Sequence, residues 1–531
     1  MARPAKTGQV AEAASGVISS RASRKASRKP ERPRGRFAFQ LELDAPSEAE
    51  EGGELPMFLR IARAVARDAR SGRLPKGALL PSSRELAVTL RVHRNTVLAA
   101  YRELTAEGFI QSTHGKGTFI AATLPEVKPR RFQTVASPVA QDRSRPGFAF
   151  EPPGPPPAYA IIPRGALALY GGIPDTRLVP REAFGRAYRR ALRSRTDYLS
   201  YGDPRGDESL RAALAEMLRT ERGLSVIADD ILLTRGSQMA LALLGRLLFR
   251  PGDVVAVESL GYQPAWRALT AHGAVLRTVP VDAHGLSVDA LAELCESEPV
   301  RAVYTTPHHQ YPTTVTMSAG RRMALLALAK KKRFAIIEDD YDHESHYEGR
   351  PVLPLASADD GGFVLYIGTL SKVFAPGVRI GYLIAPLAIQ EAAVGLRLGL
   401  DRQGDRLTER AIAELLEDGE LQRHVWRAKR IYHARRDHCV SALREAFGEL
   451  MEVDVPSGGM ALWARFDRKV DVAALAVEAA KRGVLFQPGH LFTATNRPNQ
   501  HARIGYGCLN ETEMREAIAR LRKAMQTVLK G

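Results

Sequence analysis

Between residues 335 and 382 the chain sets out carboxylates, a phenol, a primary amine and a guanidinium in an order that suits one kind of chemistry. Ala335-Ile336-Ile337-Glu338-Asp339-Asp340-Tyr341 is followed by Tyr366-Ile367-Gly368-Thr369-Leu370-Ser371-Lys372, and then by Ala375-Pro376-Gly377-Val378-Arg379-Ile380-Gly381-Tyr382. An apolar strand that ends in a carboxylate and a phenol presents both at the C-terminal edge of a parallel sheet, where ligands bind in α/β folds. The amine of Lys372, just past the next strand, can condense with an aldehyde and hold it covalently. A carboxylate such as Asp339, set against a pyridine nitrogen, keeps that nitrogen protonated, so the ring can draw electrons from the Cα of a bound amine. The Tyr341 phenol can hydrogen-bond a ring hydroxyl, and Arg379, seven residues beyond the lysine, can fork onto a phosphate. An aldehyde, a pyridine nitrogen, a ring hydroxyl and a phosphate meet in pyridoxal 5'-phosphate.

These groups need a scaffold that brings several strand ends together. After Gly165 the chain alternates helical blocks with short apolar runs: Ile231–Thr234, Val254–Glu258, Ala302–Thr305, Phe334–Glu338 and Val364–Gly368. That rhythm predicts a mostly parallel sheet with crossover helices. Thr234-Arg235-Gly236-Ser237-Gln238-Met239 ends one run and opens a helix, so Ser237, Gln238 and the free amides there can hold a phosphate dianion. Singly, each residue has a commonplace reading: an Asp at a strand end is usually a turn cap, a Gly-Ser-Gln before a helix a plain N-cap, a lone lysine a solvated one. Their order and spacing set them apart. His308 and His309 suggest a metal, but no carboxylate or third histidine accompanies them at a ligand spacing, so they read as pocket or structural residues and no metal is expected.

Charge points to a second module upstream. Of the net +17 over 531 residues, the first 164 hold +12. Residues 1–36 carry ten basic and two acidic side chains, residues 37–54 six acidic and none basic, and residues 55–124 eleven basic against four acidic. A basic surplus on a short segment suggests a polyanionic partner. Residues 1–54 have little apolar to bury and read as an unfolded basic and acidic tail. Over 55–124, Phe58, Ile61, Ala62, Val65 and Ala69 recur at helical spacing, Glu85–Leu90 and Arg94–Glu107 read as helices joined by Arg91-Val92-His93, and Phe109-Ile110 and Thr118-Phe119-Ile120 read as strands around His114-Gly115-Lys116-Gly117. That is the outline of a winged helix-turn-helix. Arg84 opens the bracing helix, and His93, Arg94, Asn95 and Thr96 stand at the N-terminus of the recognition helix, where side chains and amides both face phosphates or base edges. Leu98, Tyr101 and Leu104 would be that helix's buried stripe. Residues 125–164 hold ten prolines and read as a semi-rigid connector.

The segment from Leu80-Pro81-Ser82-Ser83-Arg84-Glu85-Leu86-Ala87 to Gly115-Lys116-Gly117-Thr118-Phe119 resembles the DNA-binding domain of the GntR family nearly residue for residue. By that resemblance Arg84, Arg94, Asn95, Thr96 and the wing glycine, Gly115, contact DNA; His93 and Lys116 are added as neighbours on the same face. The pattern of residues 335–382 resembles fold-type I aminotransferases, in the form found in MocR-type regulators, which join a GntR reader to an aminotransferase-like domain. The resemblance implies that Lys372 is the Schiff-base lysine, Asp339 the pyridine-nitrogen partner, Tyr341 the ring-hydroxyl partner, and Arg379 with Thr369 phosphate ligands. It further implies that Tyr262 stacks on the pyridoxal ring, that Tyr201 reaches the cofactor phosphate of a partner subunit in a homodimer, and that Arg503 clamps a substrate or effector α-carboxylate. One departure stands out. Aminotransferases of this fold carry an Asn-Pro-x-Gly segment whose asparagine bonds the ring hydroxyl, whereas this chain has His308-His309-Gln310-Tyr311-Pro312-Thr313-Thr314.

The expected architecture is therefore α/β: a winged helix-turn-helix over 55–124, a Pro-rich linker over 125–164, and a fold-type I pyridoxal-phosphate-dependent aminotransferase-like domain over 165–531. The expected function is a transcription regulator on promoter DNA that senses an amine, an amino acid or the cofactor itself through an external aldimine; the alternative is a working aminotransferase with an accessory DNA-binding module. No apolar stretch approaches the length of a membrane span, Met239–Phe249 being broken by Arg246. Early charges without an apolar run behind them argue against a secretory signal. Three scattered cysteines (Cys295, Cys439, Cys508) suit neither a disulfide framework nor a zinc site, so a reducing cytoplasm is expected.

Overall fold

The computed structural model describes residues 41, 43, 55–125, 148–150, 162–194, 196–349 and 352–530. Most of the expected tail and most of the expected proline-rich connector lie outside the described residues. The chain divides into two compact units, Met1–Pro155 and Pro156–Gly531.

In the N-terminal unit, helices α1 (Met57–Arg70), α2 (Ser83–Leu90) and α3 (Arg94–Ala106) precede a hairpin of β1 (Ile110–Thr113) and β2 (Gly117–Ile120). Ser82 and Glu85 form a reciprocal capping box at the start of α2 (Ser82 N to Glu85 Oε2 2.8 Å, Glu85 N to Ser82 Oγ 3.3 Å), which satisfies donors a helix end otherwise leaves open. Arg91, with φ of 53°, ends α2 in a left-handed turn. The Tyr101 hydroxyl donates to the Pro81 carbonyl at 2.7 Å and so fastens α3 to the head of α2. Ile61, Val65, Leu86, Val97, Ala100 and Leu104 form the centre of the core. The buried stripe of α3 is turned from the expected one: Val97, Ala100, Tyr101 and Leu104 are buried. Leu98 is only half-buried and lines a shallow groove with Pro81 and Lys116. Leu41 and Leu43, expected within an unfolded tail, pack against this core; both are apolar residues in an otherwise acidic stretch.

In the C-terminal unit β3 (Leu167–Ala168) pairs in parallel with β15 (Val484–Leu485). The main sheet has seven strands: β4 (Ile231–Thr234), β5 (Val254–Glu258), β6 (Val275–Val279), β9 (Val300–Thr305), β10 (Ala335–Asp340), β11 (Val364–Thr369) and β12 (Gly381–Ile384). A short hairpin, β7 (Val281–Asp282) and β8 (Gly285–Leu286), lies between β6 and β9. The order across the sheet is β4-β12-β11-β10-β9-β5-β6. Only β12 runs against its neighbours. A second sheet of β13 (Met451–Val453), β14 (Ala461–Phe466), β16 (Gln487–Pro488) and β17 (His501–Gly505) is antiparallel throughout. All five expected strands are present. β6 and β12 escape sequence reading because β6 carries Arg277 and Thr278 on an edge and β12 is four residues opening at a glycine. β10 runs on to Asp340, so Asp339 sits inside a fully buried strand end.

Candidate functional site

The central strands converge on Lys372. β10 contributes Asp339 and, one residue past its end, Tyr341; β11 ends three residues before Lys372; the helix Ser237–Leu248 starts just after β4. Asp339 is 4% exposed. Its Oδ2 accepts the Tyr304 hydroxyl at 2.9 Å, while its Oδ1 is buried with no hydrogen-bond partner among the described residues. Burial pushes this carboxyl up to about 7, against the pull of the Tyr304 bond and the nearby Lys372 ammonium. A buried carboxylate oxygen left open is costly, on the order of 1–3 kcal/mol or more, and a protonated pyridine nitrogen would supply a donor for it. The residues present fit pyridoxal phosphate.

Burial, with the charge of Arg503, lowers the Lys372 ammonium to about 8. The direction matters, because only the neutral amine attacks an aldehyde. The rate at which cofactor-free protein captures pyridoxal phosphate is therefore expected to rise with pH through a midpoint near 8, where an ordinary lysine would keep rising to about 10.4. Stopped-flow absorbance across pH 6.5–10 reads it, and a midpoint above about 10 would remove Lys372 from this role.

Tyr341 donates its hydroxyl proton to the His309 carbonyl at 2.9 Å, so toward a ring hydroxyl it acts as an acceptor. Tyr262 packs edge-on against Tyr311 (ring centroids 5.3 Å apart), and burial, then Tyr311 and Asp339, push its phenol up to about 12. Arg503 is 1% exposed. It donates to the Pro312 carbonyl at 2.7 Å and lies 4.2 Å over the Tyr311 ring, with its Nε unpartnered among the described residues. Arg379 donates to the Arg235 carbonyl at 2.8 Å. It reaches over the head of the 237–248 helix because Gly236, with φ of 74°, has no Cβ there; one would sit 3.1 Å from the guanidinium. Ser237 and Gln238 follow, and the Gln238 amide nitrogen is buried without a partner among the described residues. The Thr369 hydroxyl is turned onto the chain, donating to Ile380 O and accepting from Ser371 N, both at 3.1 Å. Tyr201 is 72% exposed, with the Arg402 guanidinium 4.1 Å over its ring. The structure thus gathers Lys372, Asp339, Tyr341, Tyr262 and Arg503, sets Arg379 with Ser237 and Gln238, and leaves Tyr201 on the surface of the single chain.

Two features went unread. Tyr304, which holds Asp339, is one of the apolar residues of β9; facing Ile337 across the ladder, it gives no signal without the register. Glu258 ends β5 as Asp339 nears the end of β10, yet it accepts from Thr305 Oγ1 (2.7 Å), Thr306 Oγ1 (3.0 Å) and Gln310 Nε2 (3.1 Å) and closes on the chain itself. The reading that no carboxylate or third histidine accompanies His308 and His309 is corrected. β9 and β10 are neighbours, so the loops after them meet, and His343, His346, Asp340 and Asp342 all come to the pair.

On the N-terminal unit Arg84, His93, Arg94 and Asn95 are exposed and Thr96 is half-buried. His93 Nδ1 accepts the Asn95 amide at 3.2 Å and caps α3, and Arg94 Nε reaches Ser83 Oγ at 3.4 Å. Gly115 takes φ of +74° at the hairpin tip, a conformation that favours glycine, next to the exposed Lys116. Cationic and polar side chains on one exposed turn are what a phosphate backbone meets.

Residues 174–521 match the family "Aminotransferase class I and II", and residues 58–120 match "Bacterial regulatory proteins, gntR family". A solved structure of LysN, an α-aminoadipate aminotransferase from Thermus thermophilus complexed with N-(5'-phosphopyridoxyl)-L-leucine, superposes with a TM-score of 0.65 at 28% identity, covering 70% of this chain and 94% of that one. The C-terminal unit is a fold-type I aminotransferase domain, a class that works with pyridoxal 5'-phosphate. A probable rhizopine catabolism regulatory protein, MocR, of Rhizobium meliloti is 31% identical over 473 residues, 89% of this chain and 94% of that one. The pyridoxine biosynthesis regulator PdxR of Corynebacterium glutamicum is 32% identical over 469 residues, 88% and 94%. The chain belongs to the GntR-family regulators of the MocR type, DNA-binding proteins with an aminotransferase domain. No helix among the described residues is long and apolar enough to cross a membrane.

Proposed function

We propose that this protein is a DNA-binding transcription regulator whose aminotransferase domain senses an amine or amino acid with pyridoxal phosphate as the reporter group. The observation that carries the reading is the exposed cluster of Arg84, His93, Arg94 and Asn95 at the head of α3, on the same chain as a pocket whose buried Asp339 has an open oxygen. When bound, the cofactor supplies an electrophilic carbon for an amine and a ring that withdraws electrons. Lys372 would hold it, Asp339 would keep a proton on the ring nitrogen, and Arg379 with Ser237 and Gln238 would take the phosphate, joined by Thr369 once its hydroxyl turns from the Ile380 carbonyl. Tyr262 would cover the ring, and Tyr341 would orient its hydroxyl from the acceptor side. Arg503 would fix an effector carboxylate, with Tyr311 under its guanidinium excluding water. Tyr201, lying on the surface, would complete the phosphate site of a second subunit in a homodimer. An effector shifts DNA binding only by as much as its affinity differs between two arrangements of the protein.

Arg94→Ala tests the DNA-reading half. It is expected to weaken binding to promoter DNA by about 5- to 150-fold, the range for one good side-chain contact (~1–3 kcal/mol). The absorption spectrum with pyridoxal phosphate should stay as in the wild type. Unchanged fluorescence-anisotropy titrations would sink the recognition-helix reading. The aminotransferase reading is favoured by one observation, that Lys372, Asp339 and Arg503 are all brought together. Repeated turnover of an amino acid with a keto acid at ordinary enzyme rates would promote it over the sensor.

A further inference from the structure

The loops that follow β9 and β10 place four histidines in one buried cluster beside the cofactor pocket. His308 is 3% exposed, His309 1%, His343 5% and His346 7%. Buried polar groups ordinarily find partners, and here they do not. His308 Nδ1 and Nε2, His309 Nε2 and His346 Nδ1 have no hydrogen-bond partner among the described residues. A nitrogen from each of His308, His309 and His346 lies within 4.8 Å of the other two. The ring centroids stand 4.5 Å (His308–His309), 5.8 Å (His308–His346) and 6.1 Å (His309–His346) apart.

We propose that His308, His309 and His346 form a binding site for one divalent transition-metal ion of the zinc class. Three neutral imidazoles are a common ligand set for zinc, copper or nickel, and a zinc site with three protein ligands keeps its fourth position for water or a further ligand. Zinc–nitrogen bonds of about 2.0–2.1 Å put tetrahedral ligand atoms about 3.4 Å apart, so rings now within 4.8 Å close onto an ion by moving about an ångström each. The chain also provides the outer support that such sites use. Asp342 Oδ1 lies 2.9 Å from His309 Nδ1, which fixes that ring's tautomer and leaves Nε2 as the ligand atom. His346 is held in place by a backbone bridge to Gly458, and the Ser345 carbonyl accepts the Gly459 amide at 2.7 Å.

A competing set, His308 with Asp340 and His343, is also within reach. The charge of Asp340 is already matched: its Oδ2 accepts Tyr366 OH at 2.6 Å, pairs with Arg222 at 3.3 Å and lies 3.2 Å from His343 Nδ1, while its Oδ1 has no partner among the described residues. The three-imidazole set stands clear of the Arg222 cation that pairs with Asp340 and has Asp342 behind His309 as its outer partner, and for that reason the ion is assigned there. The ion would clamp the 308–310 loop to the turn after β10. Through the His309 carbonyl it would also bear on the Tyr341 hydroxyl.

The test uses the full-length, untagged protein, stripped with a chelator, incubated with Zn²⁺ or Co²⁺ and freed of excess metal by gel filtration. Wild type is expected to keep about one ion per chain, with the intense visible bands of four-coordinate cobalt. His308→Ala and His346→Phe should keep under about a tenth of that, while His343→Phe and a surface control, His272→Ala, keep it all. Wild type that retains no more metal than His308→Ala overturns the site, as does loss in His343→Phe with retention in His346→Phe. Thermal unfolding of wild type with and without Zn²⁺ needs no variant: a rise of several degrees supports the site, and no shift overturns it.

Discussion

Lys372→Ala is expected to abolish the near-visible absorption band that pyridoxal phosphate acquires on a lysine, and to weaken cofactor binding by about a hundredfold or more. The size follows from what the amine does. In the wild-type pocket Lys372 would hold the aldehyde carbon covalently, and the remaining anchors would be hydrogen bonds and ion pairs worth about 0.5–3 kcal/mol each. Burial has already lowered the Lys372 ammonium to about 8, so near neutrality an appreciable fraction is in the reactive form, and removing the side chain removes that reactivity outright. Folding should survive, since the alanine leaves a polar cavity that admits water. Ultraviolet–visible titration of the purified variant, with circular dichroism as a folding control, gives the answer. A band and affinity matching wild type would mean that another amine holds the aldehyde, and the sensing scheme would lose its anchor. DNA binding by the cofactor-free variant should match that of cofactor-free wild type, because the α3 face belongs to the other compact unit.

How much of this could be seen without coordinates depended on whether the signal lay within one segment. The helical spacing from Phe58 to Ala69, the joint at Arg91-Val92-His93 and the wing around Gly115 are local signals, and the helix-turn-helix was legible from them. Strands with apolar runs were legible because burial on both faces demands such runs; β6 is broken by Arg277 and Thr278, and β12, Gly381-Tyr382-Leu383-Ile384, follows the Arg379 motif so closely that it reads as part of it. The stripe on α3 was misplaced by one position because Val97 and Leu98 are both apolar, and packing against α1 and α2 decides between them. What stayed hidden was whatever depends on two distant segments meeting. Asp339 and Glu258 look alike as acids near the ends of apolar strands. Only the donors around them show that Glu258 is closed on Thr305, Thr306 and Gln310, while Asp339 keeps one oxygen open. The histidine cluster is the same lesson: His308 and His346 are far apart in sequence and meet because β9 and β10 pair.

Asp339→Asn is expected to do two opposite things, and the pair of effects separates a cofactor ligand from a structural acid. Without cofactor, wild type carries a carboxyl whose ordinary value of 3.8 has been raised to about 7 by burial. A raised acid holds its proton longer in the folded state than in the unfolded one. Folded stability is therefore fullest below about 4, falls as pH rises toward 7, and stays low above it. Asparagine has no charge to bury, so the cofactor-free variant should gain on wild type as pH rises across that window, by roughly 1–3 kcal/mol at pH 8. With cofactor the order reverses. A neutral amide cannot hold a proton on the ring nitrogen, and the charge-assisted bond it replaces is worth about 1.5–3 kcal/mol, so affinity should fall about 10- to 150-fold. The gain in the empty protein and the loss in the loaded one are two readings of the same open oxygen, since a group left unsatisfied costs stability until its ligand arrives. Denaturant unfolding at pH 5 and pH 8, each with and without pyridoxal phosphate, measures all four corners. A variant that is destabilised alike in every corner would make Asp339 an ordinary partner of Tyr304 and remove it from the cofactor site.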